Sequence, residues 1–415
     1  MNKLILRGGR PLHGEVEVGG FKNAALPVLF ATVLVADVSV IDNLPMIRDV
    51  LQTLEILRAM GAVITHSAPH TVMLDTRNMT PGQAPDALVS SFRASSYLLG
   101  AELGRFGRAR AALPGGCRIG ARPLDLHVLA LTALGANVTL GGGAITATAS
   151  HLAGGRICFP TPSVGATVNA ILAAVKADGV TEIVGAAREP HIEDLCRFLN
   201  AAGAEIVGAG EGRLRVRGVS RLRGIHHRLM PDMIEAGTLL TAVGAAGGEI
   251  AIRGCDHRHL GALLSVLRSM GMILRREGEL LVAARREKLA PCTVVAEPYP
   301  GFPTDMHPQL AALATLADGV STIRDSVFPD RFAYADELKR MGGALAVADG
   351  GVTVSPSRLH GGRVTAVDLR AGAALAVAAL AADGRTLIRG ADILERGYER
   401  FPEKLKSLGA CVDFS

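Results

Sequence analysis

Tryptophan is missing from this 415-residue chain and aromatic residues make up only 4% of it. That poverty argues against the stacking platform on which proteins hold single-stranded nucleic acid. Charge of one sign is also scarce: 44 Lys and Arg face 39 Asp and Glu, a formal net charge of +5 at pH 7. The basic residues are scattered rather than clustered, which suits small anionic molecules better than nucleic acid. The six cysteines, at positions 117, 158, 196, 255, 292 and 411, include no CxxC pair and no zinc spacing. They read as free thiols of a reducing compartment, with all but Cys117 expected as small buried apolar residues. No apolar run approaches the roughly 18 residues of a membrane span, the longest ending at Asp37, so no membrane partner is expected. The opening "MNKLILRGGRPLHGEVEVGG" lacks the apolar core of a signal peptide, and a cytoplasmic location is expected. A P-loop, a strand-borne GxGxxG, an HExxH and a GxSxG are all absent.

What is present is 49% hydrophobic and 20% charged residues, an ordinary globular balance, in a chain long enough for two domains. One unit recurs six times: a helix-like segment, a glycine, then a strand-like run. The copies are "LEILRAMGAVI", "LALTALGANVTL", "CRFLNAAGAEIV", "LSVLRSMGMIL", "ELKRMGGALAV" and "KLKSLGACVDF". Their glycines are Gly61, Gly135, Gly203, Gly271, Gly342 and Gly409. Each suits the left-handed residue that ends a helix, where a Cβ is strained. In the first copy Val50, Leu51, Leu54, Leu57 and Met60 form the expected apolar stripe, with Glu55 and Arg58 facing away.

Each unit also carries a second, Ala-rich helix that is apolar all round and therefore belongs in the interior. These are "NAALPVLFATVLV", "ASSYLLGAEL", "GATVNAILAAV", "IEAGTLLTAVGAA", "DMHPQLAALATL" and "AGAALAVAALAA". The last unit is cut short by the chain end, and the opening strands "KLILRG" and "GEVEVGG" supply what it lacks. The expected domains are therefore 22–229 and 1–21 plus 230–415, three units each, with a hinge at the two crossings.

The candidate chemistry gathers just before the six inner helices: Lys22 and Asn23, Arg93, Ser163 and Gly165, Asp232, Asp305, and Asp368 with Arg370. Helix N-termini bind anions. An aspartate there is more often a cap. A lysine or arginine opposes the helix dipole, so Lys22, Arg93 and Arg370 point to a ligand that brings the balancing negative charge. Convergence of these termini would make an anion site in an interdomain cleft.

A different address holds "LPGGCRIGARPLDLH". Arg118 and Arg122 would favour the thiolate of Cys117 in a flexible glycine-rich loop suited to a lid. The residues alone leave Cys117 open between a reactive thiol and a small residue in a basic turn. His127 reads as a packed or capping histidine, and "ERGYERFPEKL", with Arg396 and Arg400, as a solvated turn.

In chain order, "KNAALPVLFA", "LPGGCRIGARPLDLH", "SVGATV", "AAREP", "FPTDM", "DLRA" and "RGYER" resemble the enolpyruvyl transferases over essentially the whole chain. "PGGC" and "RPLDLH" place the likeness in the nucleotide-sugar branch. The resemblance implies an α/β fold, a two-domain inside-out α/β barrel of six βαβαββ-type repeats, three per domain. It implies transfer of the enolpyruvyl group of phosphoenolpyruvate to the 3-hydroxyl of UDP-N-acetylglucosamine with release of phosphate, a committed step of peptidoglycan synthesis. No metal or organic cofactor is implied. Cys117 would protonate the phosphoenolpyruvate methylene, and Asp305 would accept the hydroxyl proton. Lys22, Asn23, Arg122, Arg370 and Arg396 would hold phosphoenolpyruvate. Arg93, Arg122, Pro123, Leu124, Asp125, Leu126, Ser163, Val164, Gly165, Asp305 and Val327 would line the sugar-nucleotide site. Asp368 and Arg370 would help domain closure. Three positions depart from the family pattern: Thr161 and Met233 stand where lysine and arginine are usual, and His191 where glutamate is usual. An alternative acceptor such as UMP, or a non-catalytic sugar-nucleotide binder, is the competing reading.

Overall fold

The computed structural model describes residues 3–113 and 124–414. The chain is α/β, with six small sheets among the described residues. Five of them share one pattern: a central strand pairs in parallel with a short edge strand and antiparallel with the next strand, which pairs antiparallel with a fourth. In the sheet around Val180–Val184, for example, Arg156–Cys158 is the parallel edge, followed on the other side by Arg213–Arg217 and Glu205–Val207. The sheet of Arg108–Ala112, Ala144–Thr148 and Asn137–Gly141 has only the antiparallel part among the described residues. The N-terminal strand Lys3–Arg7 lies between Arg385–Arg389 and Cys411–Phe414, with Leu4 and Leu6 fully buried. Leu12–Glu17 is the parallel edge against Gly248–Arg253.

The described residues divide into two compact units, one of residues 20–113 and 124–230, the other of 3–19 and 231–414. In the first, the helices Lys22–Val35, Leu98–Phe106 and Val164–Ala174 pack on one another. In the second, Met233–Ala246, His307–Ala314 and Leu369–Ala381 do the same. Every residue from Ala24 to Val35 is buried, and each large apolar side chain so placed contributes about 1.5–3 kcal/mol over exposure. Small residues allow the close approach: a Cβ on Gly237 would come within 2.7 Å of Leu263 and 2.8 Å of Met306.

The six motif glycines all adopt positive φ, between 88° and 109°, as the helix-ending geometry requires. At the first, the Gly61 N–H donates to the Arg58 carbonyl and the Ala62 N–H to that of Leu57. Three local expectations need correction. Leu51 is 44% exposed, because the helix Arg48–Ala59 turns Val50, Thr53, Leu54 and Leu57 inward and the hydroxyl of Thr53 is satisfied by the Asp49 carbonyl. The expected "ASSYLLGAEL" helix is split into a 3-10 turn, Arg93–Tyr97, and an α-helix, Leu98–Phe106. The Ser95 hydroxyl binds the Phe92 and Val89 carbonyls and competes with the helical pattern there. Of the cysteines expected to be buried, Cys196 and Cys292 are, while Cys158 is exposed on its short edge strand and Cys255 and Cys411 are half-buried. No helix among the described residues is long and apolar enough to cross a membrane.

Candidate active site

Three of the residues placed at inner-helix starts are caps. Asp232 Oδ1 accepts from the N–H groups of Ile234 and Glu235 at 2.7 and 3.0 Å. Asp368 Oδ1 does the same for Arg370 and Ala371 at 2.8 and 3.0 Å, and Ser163 Oγ accepts from Ala166 at 3.3 Å. Such caps complete the unpaired first turn of a helix.

Asp305 is not a cap. It sits two residues before the helix His307–Ala314, and both carboxylate oxygens are taken by arginines. Arg331 Nη1 reaches Oδ1 at 2.8 Å and Arg370 Nη2 reaches Oδ2 at 2.9 Å. Both guanidiniums are almost fully buried. Burial alone pushes the Asp305 carboxyl up, but Arg370 and Arg331 outweigh it and hold it well below the usual carboxylate range. Burial likewise lowers Arg370, and Asp305 more than restores its charge. Arg370 also lies 5.3 Å from the Tyr398 ring centroid. Two donors of this cluster remain unspent among the described residues: Arg370 Nη1 and Arg331 Nε are buried without a partner. A buried, unpaired guanidinium N–H is costly to a protein, and an anionic ligand satisfies it.

The balancing charge expected from a ligand at Lys22 and Arg370 is thus partly supplied by the protein. Lys22 Nζ is 2.8 Å from Asp49 Oδ2, whose carboxylate is only 3% exposed, and Arg370 has Asp305. Asp49 and Arg331 escaped the sequence reading. "IRDV" and "FPDRF" look like ordinary surface turns, and only folding brings them to Lys22 and Asp305.

In the same unit as Asp305, Val327 is half-buried and its N–H donates to Asp325 Oδ1 at 2.8 Å, as the Phe328 N–H does at 2.9 Å. Asp325 Oδ2 also takes the hydroxyl of Thr304 and lies 3.1 Å from His307 Nε2. This buried carboxylate therefore ties the residue before Asp305 to the turn carrying Val327. Arg396, half-buried, ends the 3-10 helix Ala391–Arg396. In the other unit, Asn23 is half-buried in the first turn of Lys22–Val35. Arg93 opens its 3-10 turn, where burial lowers its pKa. Leu124 is buried, Asp125 exposed and Leu126 half-buried at the start of Asp125–Ala133. Val164 and Gly165 are half-buried at the start of theirs. Cys117, Arg118, Arg122 and Pro123 lie outside the described residues. Of the three departures, Thr161 is exposed, Met233 is buried in the first turn of its helix, and the buried His191 ring packs edge-on against Phe21 at 5.5 Å. Among the described residues no cluster of His, Cys, Asp and Glu is arranged to hold a metal ion.

Residues 6–405 match the family model described as EPSP synthase (3-phosphoshikimate 1-carboxyvinyltransferase). Over 412 residues, 99% of both chains, the sequence is 42% identical to the UDP-N-acetylglucosamine 1-carboxyvinyltransferase of Halothermothrix orenii. It is 43% identical over 414 residues to the protein of that name from Nitratidesulfovibrio vulgaris, again across 99% of each. Among solved structures, the enolpyruvyl transferase NikO from Streptomyces tendae superposes with a TM-score of 0.91 at 29% identity, covering 100% of this chain and 99% of that one. EPSP synthase from Acinetobacter baumannii, at 21% identity and a TM-score of 0.73 over 100% and 99%, shares the fold.

Proposed function

This chain belongs to the EPSP synthase family of enolpyruvyl transferases, and on that premise we propose that it transfers the enolpyruvyl group of phosphoenolpyruvate to the 3-hydroxyl of UDP-N-acetylglucosamine, releasing phosphate. The observation that carries this reading is the full-length likeness, at 42–43% identity, to relatives named for that reaction. A different acceptor such as UMP, or a non-catalytic binder, is not favoured by those relatives. The architecture that goes with this reading is an inside-out α/β barrel of six βαβαββ-type repeats, with domains 22–229 and 1–21 plus 230–415. The buried helices and the shared sheet pattern support it. The product is a cell-wall precursor, and the cytoplasm is the proposed location.

The reaction is an addition followed by an elimination. The sugar hydroxyl oxygen bonds to C2 of phosphoenolpyruvate, its proton passes to Asp305, and Cys117 protonates C3. Loss of a C3 proton then expels phosphate and leaves the enol ether. Lys22, Arg370 and Arg396 are cations suited to the phosphate and carboxylate, and Arg122 is assigned with them from the sequence. Asn23 positions the intermediate. Arg93, Pro123 to Leu126, Ser163 to Gly165 and Val327 are the acceptor residues.

The arginine clamp bears on the timing of this chemistry. A carboxylate with both oxygens in ion pairs is a weak base. Phosphoenolpyruvate brings two anionic groups that compete with Asp305 for Arg370, and release of one oxygen makes Asp305 competent. The test is phosphate release with phosphoenolpyruvate and either UDP-N-acetylglucosamine or UMP. Release with the sugar nucleotide is the expected result. Release with UMP alone, or with neither, overturns the reading.

A further inference from the structure

Residues assigned above to the sugar nucleotide, Arg93, Leu124 to Leu126 and Ser163 to Gly165, stand at the starts of three different helical segments, Arg93–Tyr97, Asp125–Ala133 and Val164–Ala174, and one side chain ties these segments together. Asn169, fully buried on Val164–Ala174, sends Nδ2 to the Ser96 carbonyl at 3.0 Å and to His127 Nδ1 at 2.8 Å. Its Oδ1 accepts from the Gly100 N–H at 2.6 Å. The orientation of the amide is forced. A backbone N–H can only donate and a carbonyl can only accept, so Oδ1 must face Gly100 and Nδ2 must face Ser96. The second Nδ2 hydrogen is left for His127 Nδ1 at 2.8 Å and the more distant Gly165 carbonyl at 3.5 Å, and because an amide nitrogen cannot accept, Nδ1 has to be the unprotonated ring nitrogen. In the neutral ring the proton therefore resides on Nε2.

That ring lies against the start of the Val164–Ala174 helix. A Cβ on Gly165 would stand 2.9 Å from His127 Cε1 and 3.0 Å from Nε2, so this glycine is needed for the close approach. The groups facing the imidazole are Asn169, Arg93 and Asp125. Burial first and Arg93 second hold its pKa down to about 4, with Asp125 opposing them. The ring is thus uncharged at ordinary pH.

We propose that Asn169 and His127 are positioning residues for the acceptor: Asn169 locks the three segments in one arrangement and keeps His127 as a neutral Nε2–H donor beside Gly165. This rests on the acceptor assignment above. It concerns sugar-nucleotide binding alone and leaves the phosphoenolpyruvate residues untouched.

The test is Asn169→Asp and His127→Gln, assayed by phosphate release with each substrate varied, at about pH 6 and pH 8. In Asn169→Asp the carboxylate has no hydrogens, so neutral His127 turns Nδ1–H towards it and loses the Nε2 proton, which returns when the ring is protonated. KM for UDP-N-acetylglucosamine is expected to rise on the order of tenfold at the higher pH and by less at the lower, with KM for phosphoenolpyruvate within about twofold of wild type. His127→Gln, which leaves the bonds from Asn169 to Ser96 and Gly100 intact, is expected to raise the same KM at both pH values. It serves as the folded variant if Asn169→Asp is unstable. Unchanged sugar-nucleotide KM in both, or equal rises for both substrates, overturns the inference while the function stands. A wild-type protein inactive with UDP-N-acetylglucosamine removes the acceptor assignment and the inference with it.

Discussion

Arg370 reaches Asp305 at 2.9 Å across 65 positions of sequence, and Arg331 closes the other side of the same carboxylate. Removing one member of a buried ion cluster leaves the others uncompensated. Asp305→Asn should therefore lower stability by about 3 kcal/mol or more, read from denaturant unfolding, as well as abolish turnover. Because the folded pKa is depressed, the stabilisation from Asp305 is fully present above the unfolded value of about 4 and is lost only as pH falls further. Unfolding curves that coincide for wild type and Asp305→Asn at pH 7 would contradict the clamp.

Asp232 behaves in the opposite sense. Burial raises its carboxyl to about 7, with Arg370 opposing and Glu235 adding to the rise. The folded state then holds a proton that the unfolded chain has lost above about pH 4, so this group's contribution falls as pH rises from about 4 to 7. Asn caps a helix about as well as Asp. Asp232→Asn should flatten that decline and leave the protein more stable than wild type at pH 8, measured as Tm against pH. A wild-type and variant pair with parallel Tm profiles would refute this.

Lys22 and Asp49 form an ion pair whose carboxylate is buried, and truncating either removes that compensation from the other. Lys22→Met and Asp49→Asn should each destabilise, and the double variant should recover part of the loss, with a coupling of about 0.5–3 kcal/mol. Turnover should stay lost wherever Lys22 is gone. Strictly additive stabilities would show the pair to be uncoupled.

Cys117→Ala is expected to eliminate turnover and keep the melting temperature, since the assigned role is proton donation rather than packing. Burial pushes the thiols of Cys196 and Cys255 up to about 12, which leaves them protonated and inert. Full activity in Cys117→Ala would remove the thiol from the mechanism.

Much of this was legible in the chain. The glycines at 61, 135, 203, 271, 342 and 409 announced six helix ends because only one backbone conformation suits that position, and it excludes most side chains. The all-apolar helices announced their burial because nothing on them tolerates water. Asp232 and Asp368 were readable as caps, since a cap is satisfied by its own next three residues, and the structure adds Ser163 to them. Leu51 misled because a stripe of spacing i, i+3 and i+4 leaves the edge residue's exposure to whatever packs beside it.

Long-range electrostatics were not legible. Nothing local distinguishes Asp49 or Arg331 from solvated polar residues, and nothing local names the partners of Asn169 on its apolar helix, since the partners of all three lie tens of positions away and meet them only in the folded chain. The sequence by itself determined which residues stand at the helix starts, because capping and helix-ending preferences act over three or four neighbours. The tertiary structure alone decided that Asp305 is clamped by two arginines and that His127 carries its proton on Nε2. Those states depend on burial and on which donors surround a group, and both exist only once the helices have packed.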